Sequence, residues 1–129
     1  MKLLIVLAAC VLLLTGCRAP GKDEKQMTYQ RISMQEAAEW METEEHFVLV
    51  DVRTAQEYAL GHIPGAVLLP NEEIGDEVVD VLPDKDALTL VYCRSGNRSR
   101  QAADKLVQLG YTNIVEIGGI MHWTGELER

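Results

Sequence analysis

The sequence has few histidines and no excess of basic residues, and each shortage excludes a class of function. Its 129 residues include 12 lysines and arginines against 20 aspartates and glutamates, for a formal net charge of −8. Nucleic acid and anionic lipid headgroups repel a chain of this charge, so we expect neither nucleic acid nor a bare anionic surface as a partner. His46, His62 and His122 lie far apart in the sequence and have no spacing typical of metal ligands. We therefore predict no metal site and no cofactor.

Long apolar runs are also lacking. The run from Leu3 to Leu14 follows one lysine and comprises twelve uncharged residues, whereas a helix that spans a bilayer needs about 20 apolar residues. Its length is typical of the apolar region of a secretory signal. It ends in Leu14-Thr15-Gly16-Cys17, which resembles the bacterial lipobox. The resemblance implies cleavage before Cys17 and a diacylglyceryl group on its sulfur; an ordinary signal peptide or short anchor, with Cys17 incidental, is the alternative.

This interpretation divides the chain into three parts. Residues 1–16 are predicted to be a signal peptide, 17–27 the lipidated cysteine and a flexible tether, and 28–129 one folded domain. The protein would be exported and lipid-anchored at a bacterial cell envelope, on the outer face of the cytoplasmic membrane or in the periplasm. Of the three cysteines, Cys10 would be removed and Cys17 acylated. Cys93 would then be the one free thiol, which excludes an intramolecular disulfide.

The folded part alternates apolar runs with helical spacings. Strands are predicted over 47–52, 66–69, 88–92 and 113–117, and helices over 33–44, 54–61, 72–81 and 99–109. Capping boxes at Ser33-x-x-Glu36 and Thr54-x-x-Glu57 indicate two helix starts, and we expect Ser99 to cap the helix that follows Cys93. Because strands and helices alternate, the sequence predicts an α/β fold with a mostly parallel sheet.

Cys93 follows an apolar strand and precedes a helix, which favours a reactive thiolate. Backbone N–H groups of the loop Cys93 to Arg98 can point at one centre beside the sulfur, with the helix dipole behind them. Asp51-Val52-Arg53 is expected at the same edge, since ligands bind beyond the carboxyl ends of parallel strands. A buried, inert cysteine in a basic surface turn is the alternative interpretation.

The length of this loop separates two chemistries. Tyrosine phosphatases present a cysteine and an arginine as Cys-x5-Arg, usually with a histidine before the cysteine. Here the spacing from Cys93 to Arg98 is Cys-x4-Arg, and the preceding residue is Tyr92. The loop is one residue shorter, so it forms a tighter cradle that suits a single terminal sulfur better than a phosphoryl group.

From about Thr28 to its end, the sequence resembles a single-domain rhodanese, a thiosulfate sulfurtransferase-like protein. The segments that carry the resemblance are Leu49 to Arg53, Glu57-Tyr58, Gly61 to Ala66, Tyr92 to Ser99, Gly110-Tyr111, Gly118-Gly119 and Trp123. The resemblance implies a rhodanese-like fold, in which helices flank both faces of the sheet. It also implies that Cys93 carries a persulfide, that residues 94 to 98 cradle it, and that Asp51-Val52-Arg53 is a structural signature.

The resemblance also implies a mechanism. The Cys93 thiolate would take the outer sulfur of thiosulfate or a related anionic donor and pass it to cyanide, a small thiol or a protein thiol. The predicted donor-binding residues are Arg94, Ser95, Gly96, Asn97, Arg98 and Ser99, with Asp51 and Arg53 in support. We expect Arg53 to form an ion pair with Glu57, four residues away, rather than to contact the substrate.

Two other classes of function remain open. Rhodanese-like chains can serve as non-catalytic binding modules, typically when the cysteine is replaced, whereas Cys93 is retained here. A thiol-based phosphatase or arsenate reductase would use the same low-pKa thiol. The short loop and the absence of a second, resolving cysteine count against that class.

Overall fold

The computed structural model describes residues 28–75 and 80–129. These residues form a five-stranded sheet with the strands β1 (Gln30–Arg31), β2 (Val48–Asp51), β3 (Val67–Leu68), β4 (Thr89–Cys93) and β5 (Ile114–Gly119). The α-helices are α1 (Met34–Thr43), α2 (Ala55–Leu60) and α3 (Asn97–Gln108), and short 3-10 helices cover Asn71–Glu73 and Ile120–His122. The predicted signal peptide, lipidation site and tether lie outside the described residues. Within the described ranges, no helix combines the length and apolar character needed to cross a bilayer.

All neighbouring strands of the sheet run parallel, in the order β1-β5-β4-β2-β3. Strand β4 lies at the centre, and all five of its residues are buried. A central strand covered on both faces is apolar along its length rather than alternating, and residues 90–93 have that composition, with the buried Thr89 at the start. The carboxyl ends of β2 and β4 lie side by side, since Asp51 is paired with Tyr92.

Each face of the sheet has its own core. Successive residues of β4 point to opposite faces, as the geometry of a strand requires: Leu90 and Tyr92 belong to one core, and Val91 and Cys93 to the other. Helix α1 packs on the first core and α3 on the second. The predicted α/β fold, with helices on both faces of a parallel sheet, is confirmed, and Cys93 points toward the α3 face.

Both helix starts predicted from the capping-box spacings are present, and the box at Thr54 is complete. Ser33 is the N-cap of α1, and its Oγ accepts a hydrogen bond from the backbone N–H of Glu36 at 3.1 Å. Thr54 caps α2, with Glu57 returning the bond to the N-cap backbone. Gly61 ends α2, as predicted. These local signals are reliable because each uses side chains within one helical turn of the backbone they satisfy.

The predicted helix over 72–81 is not continuous in the described residues. The described part of this stretch contains the 3-10 turn Asn71–Glu73, which Ile74 ends, and residues 76–79 lie outside the described ranges. Lys105 on α3 donates to Asn71 O at 2.8 Å and to Asn71 Oδ1 at 3.0 Å. This tertiary contact holds the turn against α3. Gly75 also disfavours a helix here, because glycine in a helix interior is less stable than alanine by about 1 kcal/mol.

Candidate active site

The loop after β4 curls around the sulfur of Cys93. Residues Arg94 to Gly96 separate the strand from α3, which is twelve residues long. Gly96 adopts a left-handed conformation with φ of 110°, which glycine accepts without steric cost. This turn aims the Gly96 backbone N–H at Cys93 Sγ, at a distance of 3.0 Å. The sulfur therefore lies at the N-terminus of α3, inside a three-residue turn.

The surroundings of Cys93 favour its anionic form. Its side chain is buried, and burial by itself raises the pKa of a thiol because the thiolate loses its hydration. Hydrogen bonds outweigh burial: the Ser99 hydroxyl and the backbone N–H groups of Ser99, Gly96 and Ser95 together hold the pKa of Cys93 below its ordinary value. The loop is thus built to stabilise negative charge on sulfur.

Ser99 does not cap α3, so that prediction is wrong. The N-cap is Gly96, because the polar residues Asn97 and Arg98 already belong to the first helical turn. Ser99 is fully buried, and its Oγ lies 3.3 Å from Cys93 Sγ and 3.0 Å from Gly96 O. The serine that was expected to be the N-cap of the helix instead lies next to the sulfur.

Glu116 is a buried carboxylate of the site that we did not predict from the sequence. Its Oε1 lies 2.7 Å from Ser99 Oγ and accepts a hydrogen bond from the backbone N–H of Gly118 at 2.8 Å. Its Oε2 accepts from Arg31 Nε at 3.3 Å. Cys93, Ser99 and Glu116 thus form a line of buried, hydrogen-bonded groups. A lone charged residue inside an apolar strand is the signal that could have identified Glu116, because a charge is buried only when it is paired.

Asp51 and Arg53 lie at the same edge of the sheet, where they bind each other. The fully buried Asp51 carboxylate accepts from Arg53 Nη2 at 2.7 Å and from Tyr92 Oη at 2.8 Å. Arg53 Nη2 also donates to the Gly61 carbonyl at 2.7 Å. This network joins β2, β4 and the end of α2, and breaking a buried ion pair of this kind typically costs about 3–5 kcal/mol. The geometry of Asp51 and Arg53 is therefore that of a structural support.

The predicted ion pair between Arg53 and Glu57 is wrong. Glu57 accepts two hydrogen bonds from Arg98, at 2.6 and 3.0 Å, and these bonds lower the pKa of Glu57 to about 2. The pairing joins α2 to α3, two helices brought together by the adjacent carboxyl ends of β2 and β4. It neutralises Arg98. Among the described residues, the Arg94 guanidinium has no ion-pair partner.

The histidines do not gather around the loop. His62 stacks on Tyr58 with ring centroids 3.7 Å apart, and its Nε2 lies 3.6 Å from Glu128 Oε2. In the part of the chain that the structure describes, no group of three or more His, Cys, Asp or Glu side chains is placed to hold a metal ion.

We expect Ser99→Ala to raise the pKa of Cys93, because the substitution removes the hydroxyl and leaves the backbone N–H groups in place. The rate of alkylation by iodoacetamide, measured across the pH range, should then reach its midpoint at higher pH. At neutral pH the rate should fall several-fold. Ser95→Ala is the matched control, since residue 95 acts on the sulfur through its backbone N–H. An unchanged midpoint in Ser99→Ala would contradict the assignment of the hydroxyl.

Comparison with known proteins agrees with the fold. The profile of the rhodanese-like domain matches residues 33–126. Thiosulfate sulfurtransferase PspE of Escherichia coli is 36% identical over 76 residues, which cover 59% of this chain and 71% of PspE. Thiosulfate sulfurtransferase GlpE of Pseudomonas entomophila is 46% identical over 77 residues, which cover 59% of this chain and 69% of that protein.

A solved structure gives the same result at the level of the fold. A rhodanese-like domain protein from Staphylococcus aureus superposes with a TM-score of 0.65 at 30% sequence identity. The superposition covers 77% of this chain and 96% of that protein. The parallel sheet, the cysteine loop at its carboxyl edge and these similarities lead to one conclusion: this chain belongs to the rhodanese-like domain family.

Proposed function

We propose that this protein is a rhodanese-type sulfurtransferase that moves a sulfane sulfur from an anionic donor to a thiophilic acceptor through a persulfide on Cys93. Membership of the family supports the reaction class. The observation that carries the role of Cys93 is its cradle, in which the Ser99 hydroxyl and the N–H groups of Ser95, Gly96 and Ser99 face one buried sulfur. Such a cradle stabilises the anion before and after sulfur is loaded.

In the first half-reaction, the Cys93 thiolate attacks the outer sulfur of thiosulfate or a related donor. A new S–S bond forms to Cys93 Sγ while the S–S bond of the donor breaks, and its electron pair leaves with sulfite. The negative charge then lies on the outer sulfur of the persulfide. Arg94, with no ion-pair partner in the described part of the chain, is placed to attract the anionic donor to an otherwise acidic protein.

In the second half-reaction, an acceptor nucleophile attacks the outer sulfur of the persulfide. The acceptor is cyanide, a small thiol or a protein thiol. The electron pair of the broken S–S bond returns to Cys93 Sγ, where the same N–H groups receive it. Cys93 is the free cysteine of the described residues, so the sulfur leaves to another molecule and no disulfide forms within this part of the chain.

The geometry counts against phosphoryl chemistry at this loop. Tyrosine phosphatases bind the equatorial oxygens of the phosphoryl group with the arginine that ends the motif Cys-x5-Arg, and Arg98 is its counterpart in this loop. Here both terminal nitrogens of Arg98 are bound to Glu57. The three-residue turn also leaves the N–H groups close to Cys93 Sγ, as the 3.0 Å distance from Gly96 shows. A terminal sulfur fits this arrangement better than a phosphoryl group.

The assay that tests the proposal supplies several donors and measures two products, thiocyanate and the persulfide on Cys93. The purified protein is incubated with thiosulfate and cyanide, and separately with polysulfide and with an aryl phosphate. We expect thiocyanate, a gain of about 32 mass units on Cys93 from one added sulfur atom, and no hydrolysis of the phosphate ester. Phosphate release, or the failure of every sulfur donor to load Cys93, would contradict it.

We also propose that the protein is exported and held at the cell envelope by a lipid on Cys17. The apolar run Leu3 to Leu14 and the lipobox-like residues before Cys17 support this location. The expected result is that a labelled fatty acid is incorporated into the protein in bacteria and that the protein sediments with membranes. Cys17→Ala should abolish both. Equal labelling of the Cys17→Ala protein would contradict lipidation at this residue.

A further inference from the structure

Exposed apolar side chains are gathered beside the Cys93 loop. Leu60, Met121 and Leu127 are 74%, 64% and 50% exposed, and together they line a groove of about 460 Å³. Two further large apolar side chains, Val67 and Val81, are exposed to 36% and 45% and lie outside this groove. An exposed apolar cluster next to a reactive group is typical of a binding surface, because covering it removes apolar area from water.

Several elements hold the walls of the groove in place. The backbone N–H of Met121 donates to the carbonyl of Arg94 at 3.3 Å, which ties one wall directly to the residue after Cys93. On the other wall, the backbone groups of His62 and Glu128 exchange two hydrogen bonds of 2.9 Å. The C-terminal segment that carries Leu127 is thereby fixed against the end of α2, so the groove has a defined shape next to the loop.

The three charged side chains that line the groove sum to one positive charge, although the chain as a whole has a net charge of −8. These side chains are Arg53, Glu57 and Arg94. Arg53 is paired with Asp51 at 2.7 Å, and Glu57 is paired with Arg98 at 2.6 Å. Within the described residues, Arg94 alone of these three has no ion-pair partner. An occupant that complements this surface carries apolar groups and one negative charge.

We propose that the groove binds a segment of an acceptor protein in which a reactive cysteine is flanked by apolar residues and by an acidic residue. The inference rests on the proposed function and names the acceptor class for the second half-reaction. Leu60, Met121 and Leu127 contact the apolar side chains of the segment, and Arg94 contacts its carboxylate. Cyanide and small hydrophilic thiols would make no apolar contacts with Leu60, Met121 and Leu127.

Docking on this surface brings the acceptor sulfur to the persulfide of Cys93. The acceptor thiol first loses its proton to solvent, and its thiolate attacks the outer sulfur. The new S–S bond belongs to the acceptor, which leaves as the persulfide anion. The S–S bond to Cys93 breaks, and its electron pair returns to Cys93 Sγ. Charge and atoms balance without any further reactant.

The test compares acceptor peptides on the full-length protein loaded with sulfur from thiosulfate. One peptide has a central cysteine flanked by leucines and a glutamate; its match has serines and a lysine in those places. A small apolar thiol and cyanide are the further acceptors. We expect the first peptide to react about tenfold faster than its match and than the small apolar thiol, which corresponds to about 1.4 kcal/mol.

Variants locate this preference on the protein. In the double variant Leu60→Ser and Met121→Ser, the ratio of the rate with the apolar peptide to the rate with cyanide should fall about tenfold. The double variant Val67→Ser and Val81→Ser removes the same kind of exposed side chain elsewhere, and its ratio should not change. With two peptides that both keep the leucines and differ only in glutamate or lysine, Arg94→Gln should remove the preference for glutamate.

Two results would overturn the inference. The first is that the apolar peptide reacts no faster than its match or no faster than the small apolar thiol. The second is that the ratio of the rate with the apolar peptide to the rate with cyanide is unchanged in the double variant Leu60→Ser and Met121→Ser. A wild-type protein that loads no sulfur and forms no thiocyanate would overturn the proposed function instead. Transfer to cyanide without any preference among the peptides would leave the proposed function standing, so the two failures are distinguishable.

Discussion

Cys93→Ser is expected to abolish sulfur transfer and to leave the fold intact. The serine hydroxyl stays protonated at neutral pH and cannot form a persulfide, so both half-reactions lose their nucleophile. We expect thiocyanate formation to fall at least about 10³-fold, to the level of the uncatalysed reaction. The exchange is nearly isosteric, and the Gly96 N–H, 3.0 Å from the sulfur, can donate to the hydroxyl. Stability should therefore change little.

Three measurements together check this prediction. Thiocyanate formation reports turnover, the intact mass after incubation with thiosulfate reports sulfur loading, and thermal unfolding reports the fold. Ser99→Ala serves as the comparison, since it keeps the nucleophile and weakens only the stabilisation of its charge. A Cys93→Ser protein that is folded and retains more than about a tenth of the wild-type rate would show that another residue carries the sulfur.

Gly119→Ala is expected to cause the second largest loss of sulfurtransferase activity, although Gly119 has no side chain that could contact the sulfur. A Cβ at this position would lie 2.5 Å from the carbonyl carbon of Arg94 and 2.6 Å from Cα of Ser95, with the Arg94 oxygen closer still. These are backbone atoms of the Cys93 loop, which cannot turn aside as a flexible side chain can. Gly119 also pairs with Cys93 across β5 and β4, so the displacement acts directly on the loop.

The loop must move by about 1 Å to admit the new methyl group, and a misplacement of that size can cost about 10² in rate. We expect thiocyanate formation to fall by about that factor and the free energy of unfolding to fall by about 1–3 kcal/mol. Gly75→Ala is the matched control, because a Cβ there would meet nothing within 4 Å. If Gly119→Ala reacts as fast as the wild type, the loop is not held by close contact with β5.

Several local features, which depend on neighbours along the chain, were predictable from the sequence. The N-caps Ser33 and Thr54 and the buried strand that leads to Cys93 could be identified from residue spacing alone. The cysteine loop could be identified in the same way, because a glycine three residues after a thiol at a strand end permits a tight turn. The predicted helix over 72–81 is not continuous in the described residues, where Asn71–Glu73 form a 3-10 turn that Lys105, on another element, holds through Asn71.

Pairings between distant elements were not predictable in this way. Arg53 and Glu57 are four residues apart and were expected to pair, yet each binds a partner that the sheet brings close, Asp51 in one case and Arg98 in the other. Glu116 lies 17 residues from Ser99 along the chain and hydrogen-bonds to it only because β5 lies beside β4. No spacing rule connects these positions.

The sequence by itself determined the class of fold, the position of the thiol at the end of a strand, and the short loop that follows it. These follow from the periodicity of apolar residues and from backbone preferences, which act over a few residues. Only the tertiary structure decided which groups face the sulfur, which arginine has no partner in the described residues, and where Leu60, Met121 and Leu127 meet. Those outcomes depend on the order of strands in the sheet, because burial and electrostatic pairing act between residues that are close in space.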